Sequence, residues 1–181
     1  MAKQILFFHG GGSEENFHAD AAMAESIQSQ LGDAYIIDYP FLPNDGTPDL
    51  GRRRQISSQI NAAEEEPILI AHSFGASMIL VCLSEKRINK KIAAIFLLAT
   101  PYWTGTEDWV QHFKLKPGFA EDLDSNIPLF FYHCRDDEEV PFEQMEKYKT
   151  EIAWAEFREL PKGGHQFNNN LSVLVDDIKA I

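Results

Sequence analysis

Positive charge is scarce in this chain. Lys and Arg number 16 against 28 Asp and Glu, a formal net charge of −12. That balance lacks the basic footprint by which proteins hold nucleic acid or anionic membranes, so neither is an expected partner. Cysteine is nearly absent. Cys82 and Cys134 fit neither a C-x-x-C pair nor a zinc spacing, and read as reduced, buried thiols of a cytoplasmic protein. No apolar run approaches the roughly 18 residues of a membrane span. The opening Met1-Ala2-Lys3-Gln4 leads into an expected strand without the apolar stretch of a secretory signal. The six histidines show no H-E-x-x-H or paired ligand spacing, so no metal is expected. Neither G-x-G-x-x-G nor G-x-x-x-x-G-K-[ST] occurs, and the expected cofactor is none. No repeat, linker or low-complexity tract interrupts residues 1–181, which read as one domain.

What is present is an alternation. Short apolar runs at Lys3–Phe8, Tyr35–Ile37, Ile68–Ile70, Ile92–Leu98 and Pro128–His133, with Glu156–Leu160 as a sixth, predict strands. Between and after them, helical spacing predicts helices over Asp20–Leu31, Arg52–Glu66, the stretch from Ser73 through Leu83, Glu143–Ile152 and Leu171–Ile181. Most strands lack period-2 polarity, as strands covered on both faces do. The expectation is therefore an α/β fold: a three-layer, doubly wound sheet of about six parallel strands. The least regular stretch, Thr100–Asn126, is rich in aromatics and reads either as a functional segment or as a loop with its own aromatic cluster. Arg52, Arg53 and Arg54 could meet an anionic substrate, but read better as a solvated helix face.

The sharpest local signal is Ala71-His72-Ser73-Phe74-Gly75, where a strand stops and a helix begins at once. A junction that abrupt forces its central residue into a strained turn at the sheet's edge, which is the logic of the nucleophile elbow G-x-S-x-G, with Ala71 in place of the first glycine. A serine hydroxyl is a weak nucleophile. It needs a base, a carboxylate to orient the base, and donors for the oxyanion. Parallel sheets assemble such groups at the carboxyl ends of their strands. His165, after Gly163-Gly164 and the sixth strand, is the expected base. His133 and His112 fit less well, and His72 is expected to face away from the serine. In the acidic run after the fifth strand, Asp137 is the expected orienting acid, four residues ahead of Pro141. Asp136 is second, as a structural partner for loop amides. The chain order Ser73, Asp137, His165 is that of α/β-hydrolases.

The oxyanion donors are expected to be the backbone N–H groups of Phe74 and, in His9-Gly10-Gly11-Gly12, of Gly11, with Gly12 second. The same glycine run could instead cradle a phosphate. Phe41, Phe74, Trp103 and Phe167 are candidate walls of an acyl pocket, with core packing the other fate of Phe41 and Phe167.

Taken together, these residues resemble the α/β-hydrolase superfamily, and within it the small, lidless serine hydrolases of the retinoblastoma-binding serine hydrolase family. The shared stretches are His9-Gly10-Gly11, Tyr39-Pro40-Phe41-Leu42-Pro43-Asn44, Ala71–Gly75, Asp136-Asp137 with Val140-Pro141, and Gly163–Asn168. The resemblance implies strand order 2-1-3-4-5-6, a minimal fold without a cap, and Ser73, His165 and Asp137 as nucleophile, base and orienting acid. The expected function is hydrolysis of small acyl esters, thioesters or amides by a monomer or weak homodimer. The alternative is a protein-binding module with an unused triad, which keeps a protein partner among the expectations.

Overall fold

The computed structural model describes residues 2–63 and 65–181. Met1, at the start of the expected domain, and Glu64, inside the expected helix 52–66, lie outside the described residues.

Six parallel strands, β1 (Lys3–Phe8), β2 (Tyr35–Asp38), β3 (Ile68–His72), β4 (Ala94–Leu98), β5 (Leu129–Cys134) and β6 (Glu156–Leu160), form one sheet in the order β2-β1-β3-β4-β5-β6. Five helices cover it: α1 (Glu14–Leu31), α2 (Arg52–Ala62), α3 (Ser73–Ser84), α4 (Glu143–Glu151) and α5 (Ser172–Lys179). Strands β3, β4 and β5 are buried along their whole length. Their continuous apolar runs follow from this, because successive side chains enter opposite layers and both layers are dry. Leu6, Phe8, Leu69 and Ala71 face the layer of α2, α3 and α4, while Ile5, Phe7, Ile68 and Ile70 face that of α1 and α5.

Some boundaries differ from the sequence reading. Helix α1 begins at Glu14 rather than Asp20, because Ser13 and Asn16 cap it reciprocally while its first residues carry no apolar period. Helix α2 stops at Ala62, well before Glu66. An acidic run at a helix's negative end is unfavourable, and Pro67 disfavours helical backbone before it. Strand β4 starts at Ala94 rather than Ile92.

The strand order reverses between β1 and β3, one leading outward to β2 and the other to β4. The carboxyl ends of these two strands flank the crevice where doubly wound sheets bind their ligands. Helix α3 enters that crevice so closely that a Cβ at Gly75 would lie 2.5 Å from the His9 carbonyl oxygen and 2.9 Å from that of Phe8. Neither oxygen can yield without moving β1. Gly75→Ala is therefore expected to destabilise the fold by about 2–3 kcal/mol, read as a lowered urea midpoint at unchanged slope.

Candidate active site

Ser73 is the first residue of α3, and its φ is +49°. The residue before it is extended (φ −113°, ψ 140°) and those after it are helical. A non-glycine residue in the left-handed region costs on the order of 1–2 kcal/mol. The backbone is held there by close packing: a Cβ at Gly10 would stand 3.0 Å from the Ser73 Cβ, and Gly75 admits the β1 carbonyls. Ala71 pairs with Phe8 and Leu97 in register, and its methyl is buried in the layer beneath α3. The departure from G-x-S-x-G is thus absorbed by the core. Ser73 itself is half-buried, and the amide of Phe74 follows it at the helix's positive end.

After β6, the left-handed Gly164 precedes His165, and a Cβ at Gly163 would meet the Cys134 sulfur at 2.7 Å. The Gly164 amide donates to Asp136 Oδ1 (2.9 Å) and the His165 amide to Glu138 Oε2 (3.1 Å). Asp136 thus holds loop amides, while Asp137 meets the ring. The His165 Nδ1–H group donates to Asp137 Oδ1 and Oδ2 at 3.1 and 3.0 Å, which leaves the Nε2 lone pair free in the neutral ring. The Asp137 side chain is wholly covered, its oxygens also accept from the amides of Glu139 and Val140 (2.9 and 2.8 Å), and His133 Nε2, which donates to the Val140 carbonyl (2.9 Å), lies 3.2 Å from its Oδ2. Burial alone would raise the Asp137 carboxyl. Contacts with His133, His165 and Val140 outweigh it and hold the group well below the ordinary carboxylate range. For His165 burial works to lower the pKa, but Asp137, through hydrogen bond and charge, and Glu139 leave it raised.

Ser73, His165, Phe74 and the glycine loop line one cavity of about 680 Å³. Among the described residues no hydrogen bond joins the Ser73 hydroxyl to His165, whose Nε2 faces the exposed Glu139 carboxylate at 3.6 Å. Trp103 and Phe74 line this cavity, with Trp109 and Phe113 beside them. The Trp103 indole N–H donates to Ser77 Oγ (2.9 Å), and Trp109 is 58% exposed at the mouth. Phe41 and Phe167 are not in this wall. Phe41, 42% exposed, stacks on His9 and meets Phe17 outside the cavity. Phe167, 2% exposed, is packed into the layer of α1 and α5 by a left-handed turn over Phe167-Asn168-Asn169. Glu15, Asp20, Glu107 and Glu139 line the cavity, and no Lys or Arg does among the described residues.

Three participants escape the sequence reading. Asp20, buried on α1, accepts from the Gly10 amide (2.7 Å), His72 Nδ1 (2.8 Å) and Gln166 Nε2 (3.1 Å). His72 does not face away from the site: its ring lies 4.6 Å from that of His165, and its Nε2 stands 3.0 Å from the His165 carbonyl oxygen. Arg52, expected on a solvated face, is fully buried. For Asp20 and Arg52 a signal exists: each occupies the buried stripe of its helix, Asp20 with Met23, Ile27 and Leu31, Arg52 with Ile56 and Ile60. Both cysteines are free and buried, their thiols pushed up to about 12 chiefly by burial. Among the described residues there is no group of three or more His, Cys, Asp or Glu arranged to hold a metal ion, and no helix is long and apolar enough to cross a membrane.

A family model described as serine hydrolase matches residues 51–170. No curated protein sequence matches the chain significantly. Among solved structures, a serine hydrolase involved in carbazole degradation, the CarC enzyme, superposes with a TM-score of 0.71 at 13% identity, covering 99% of this chain and 90% of that one. Est1E from Butyrivibrio proteoclasticus gives 0.70 at 13% identity over 99% and 86%. Arabidopsis thaliana SOBER1 gives 0.68 at 17% identity over 99% of both chains. At such identities the likeness is one of fold.

The contacts of Asp137 carry a test of their own. A carboxyl held below its ordinary value contributes stability that is present above about pH 4, its unfolded value, and is lost as pH falls toward the folded one. Asp137→Asn is expected to cost about 2–3 kcal/mol at pH 7, and the gap between variant and wild type should narrow at pH 3. Denaturant midpoints at the two pH values measure it; an equal gap at both would contradict this electrostatic account.

Proposed function

The chain belongs to the serine hydrolase family, and from that premise we propose that it cleaves small acyl esters, thioesters or amides through an acyl-enzyme on Ser73. The observation that carries this reading is the strained, half-buried Ser73 opening a helix in the same cavity as a His165 ring already oriented by a buried carboxylate. Ser73 Oγ attacks the acyl carbonyl while His165 Nε2 takes its proton. The amides of Phe74 and Gly11 receive the oxyanion. His165 then returns the proton to the leaving group, and water repeats the sequence to release the acid. Asp137 holds the tautomer in which Nε2 is the base. For that transfer Nε2 must exchange the Glu139 carboxylate for the hydroxyl, a change consistent with the looser contacts of unliganded active sites.

The lining suggests the substrate's character. Aromatic walls and carboxylates, with no Lys or Arg among the described lining residues, favour neutral or positively charged acyl compounds over anionic ones. The reading includes a cytoplasmic protein that works without cofactor or nucleic acid, as a monomer or weak homodimer. A scaffold used only to bind another protein would gain nothing from holding Ser73 at φ +49°, so the enzymatic reading is favoured over the binding one.

A fluorophosphonate probe should form one adduct, located on Ser73 by mass spectrometry and absent from Ser73→Ala. Undiminished labelling of that variant would sink the assignment. Ser73→Ala or His165→Ala should lower kcat on short p-nitrophenyl esters by up to about 10⁶-fold.

The pH profile follows from the raised His165. Its neutral form is the base, so kcat/KM should rise with pH along a limb centred above the ordinary imidazole value of about 6.5. Glu139→Gln removes a charge that favours the protonated ring and should move the limb to lower pH. A limb that stays put would leave Glu139 without influence on the base.

A further inference from the structure

Arg52 opens α2 with 0% of its surface exposed, and among the described residues no carboxylate forms an ion pair with it. Its Nη1 donates to the Gln55 side-chain oxygen (2.8 Å), to the Leu50 carbonyl (3.2 Å) and, at 3.5 Å, toward that of Pro43. Nη2 donates to the Gly11 carbonyl (3.1 Å), and Nε has no partner. Asp49 and Asp45 act on it only through space. Burial brings its pKa down to about 10, so it remains a cation at neutral pH. A buried guanidinium with no ion-pair partner is costly, and a fold that keeps one in contact with the loop facing its candidate nucleophile calls for a reason.

The geometry of the glycine loop supplies one. In a trans peptide the carbonyl of one residue and the N–H of the next point to opposite sides. His9 Nδ1 donates to the Gly10 carbonyl (2.7 Å), while its Nε2 accepts the Leu42 amide (3.0 Å), so the Gly11 N–H points away from His9. Arg52 grips the Gly11 carbonyl, so the Gly12 N–H points away from Arg52. The Gly10 amide is already spent on Asp20. Three successive glycines have no side chains with which to fix these planes, and left alone they would sample many. Both peptide planes bearing the candidate oxyanion donors, Gly11 and Gly12, are therefore set from outside the cavity.

We propose that Arg52 is a positioning residue of the oxyanion site: from behind, it fixes the Gly11–Gly12 peptide, so that the Gly12 N–H is aimed beside the Gly11 donor that His9 sets, and it places a positive charge without an ion-pair partner behind the nascent oxyanion. The proposal rests on the reading of Ser73 as nucleophile. A donor misaimed rather than deleted should cost less than the roughly 10²–10³-fold of losing one outright.

The test uses Arg52→Lys with p-nitrophenyl acetate as substrate and phenylboronic acid, which forms an anionic tetrahedral adduct on a reactive serine, as the oxyanion probe. Ser73-dependent turnover of the wild type, abolished in Ser73→Ala, is established first, so that a failure below counts against the clamp and not against the nucleophile. In folded Arg52→Lys, kcat should drop about 10- to 100-fold with KM within about threefold, and boronate affinity should weaken in parallel. A purely structural arginine would lower the melting temperature and leave kcat and boronate binding near wild type, which would overturn the proposal. If Arg52→Lys does not fold, Gln55→Met, which removes the 2.8 Å anchor of the guanidinium, takes its place. A smaller fall in kcat at constant KM supports the clamp; an unchanged kcat refutes it.

Discussion

The carbonyl oxygens of Phe8 and His9 come so close to the first turn of α3 that position 75 has room only for hydrogen. The rest of the site depends on that contact. It draws the helix down onto the end of β1, leaves no slack between His72 and Phe74, and puts the bend on Ser73, which takes it in a backbone conformation its side chain disfavours. The same approach brings the glycine loop after β1 against Ser73, so that candidate nucleophile and candidate oxyanion donors are set by one packing event. The strain is stored locally and offset by the burial of β3 and α3 in the central layers.

Charge around the crevice is arranged in buried partnerships rather than surface ion pairs. Asp137 is shared by the His165 imidazole and two backbone amides, with the His133 ring beside it, and Asp20 by an imidazole, an amide and a glutamine. Each carboxylate links segments far apart in sequence: Asp20 joins α1, the loop after β1, the end of β3 and the loop after β6. In a dry setting such bonds are strong when complete and costly when one member is lost. The loop carrying His165 is held through its ring, its amide and its carbonyl, which keeps the imidazole at the cavity although two glycines precede it.

The alternation of strand and helix, the abrupt junction at Ser73 and the acidic and glycine-histidine segments after β5 and β6 were readable from the chain because each is a local pattern at a strand end, whereas the sheet order came from the family resemblance. The missed residues share a different origin. Asp20 and Arg52 are polar residues on the apolar stripes of α1 and α2, and a reading that assigns charged side chains to solvent passes over them. The run of arginines at 52–54 compounded this, since only the first points inward while Arg53 pairs with Asp49 and Glu85 and Arg54 with Asp45. Phe41 and Phe167 stayed undecided between pocket wall and core for want of periodicity. Loop aromatics have no repeat to fix their direction, and the left-handed turn after His165 rotates Phe167 into the core. His133 sits in an apolar strand, and its bond to the Val140 carbonyl exists only because the chain doubles back there.

The cavity is roofed by the single irregular stretch between β4 and β5, with one indole left largely in the open. Such a roof cannot keep out the solvent. An acyl group tethered on the floor would stand within reach of bulk water from the moment it formed, and any rival acceptor would have to compete with the most concentrated nucleophile available. An active site built this way is suited to discharging acyl groups as free acids and poorly suited to handing them on.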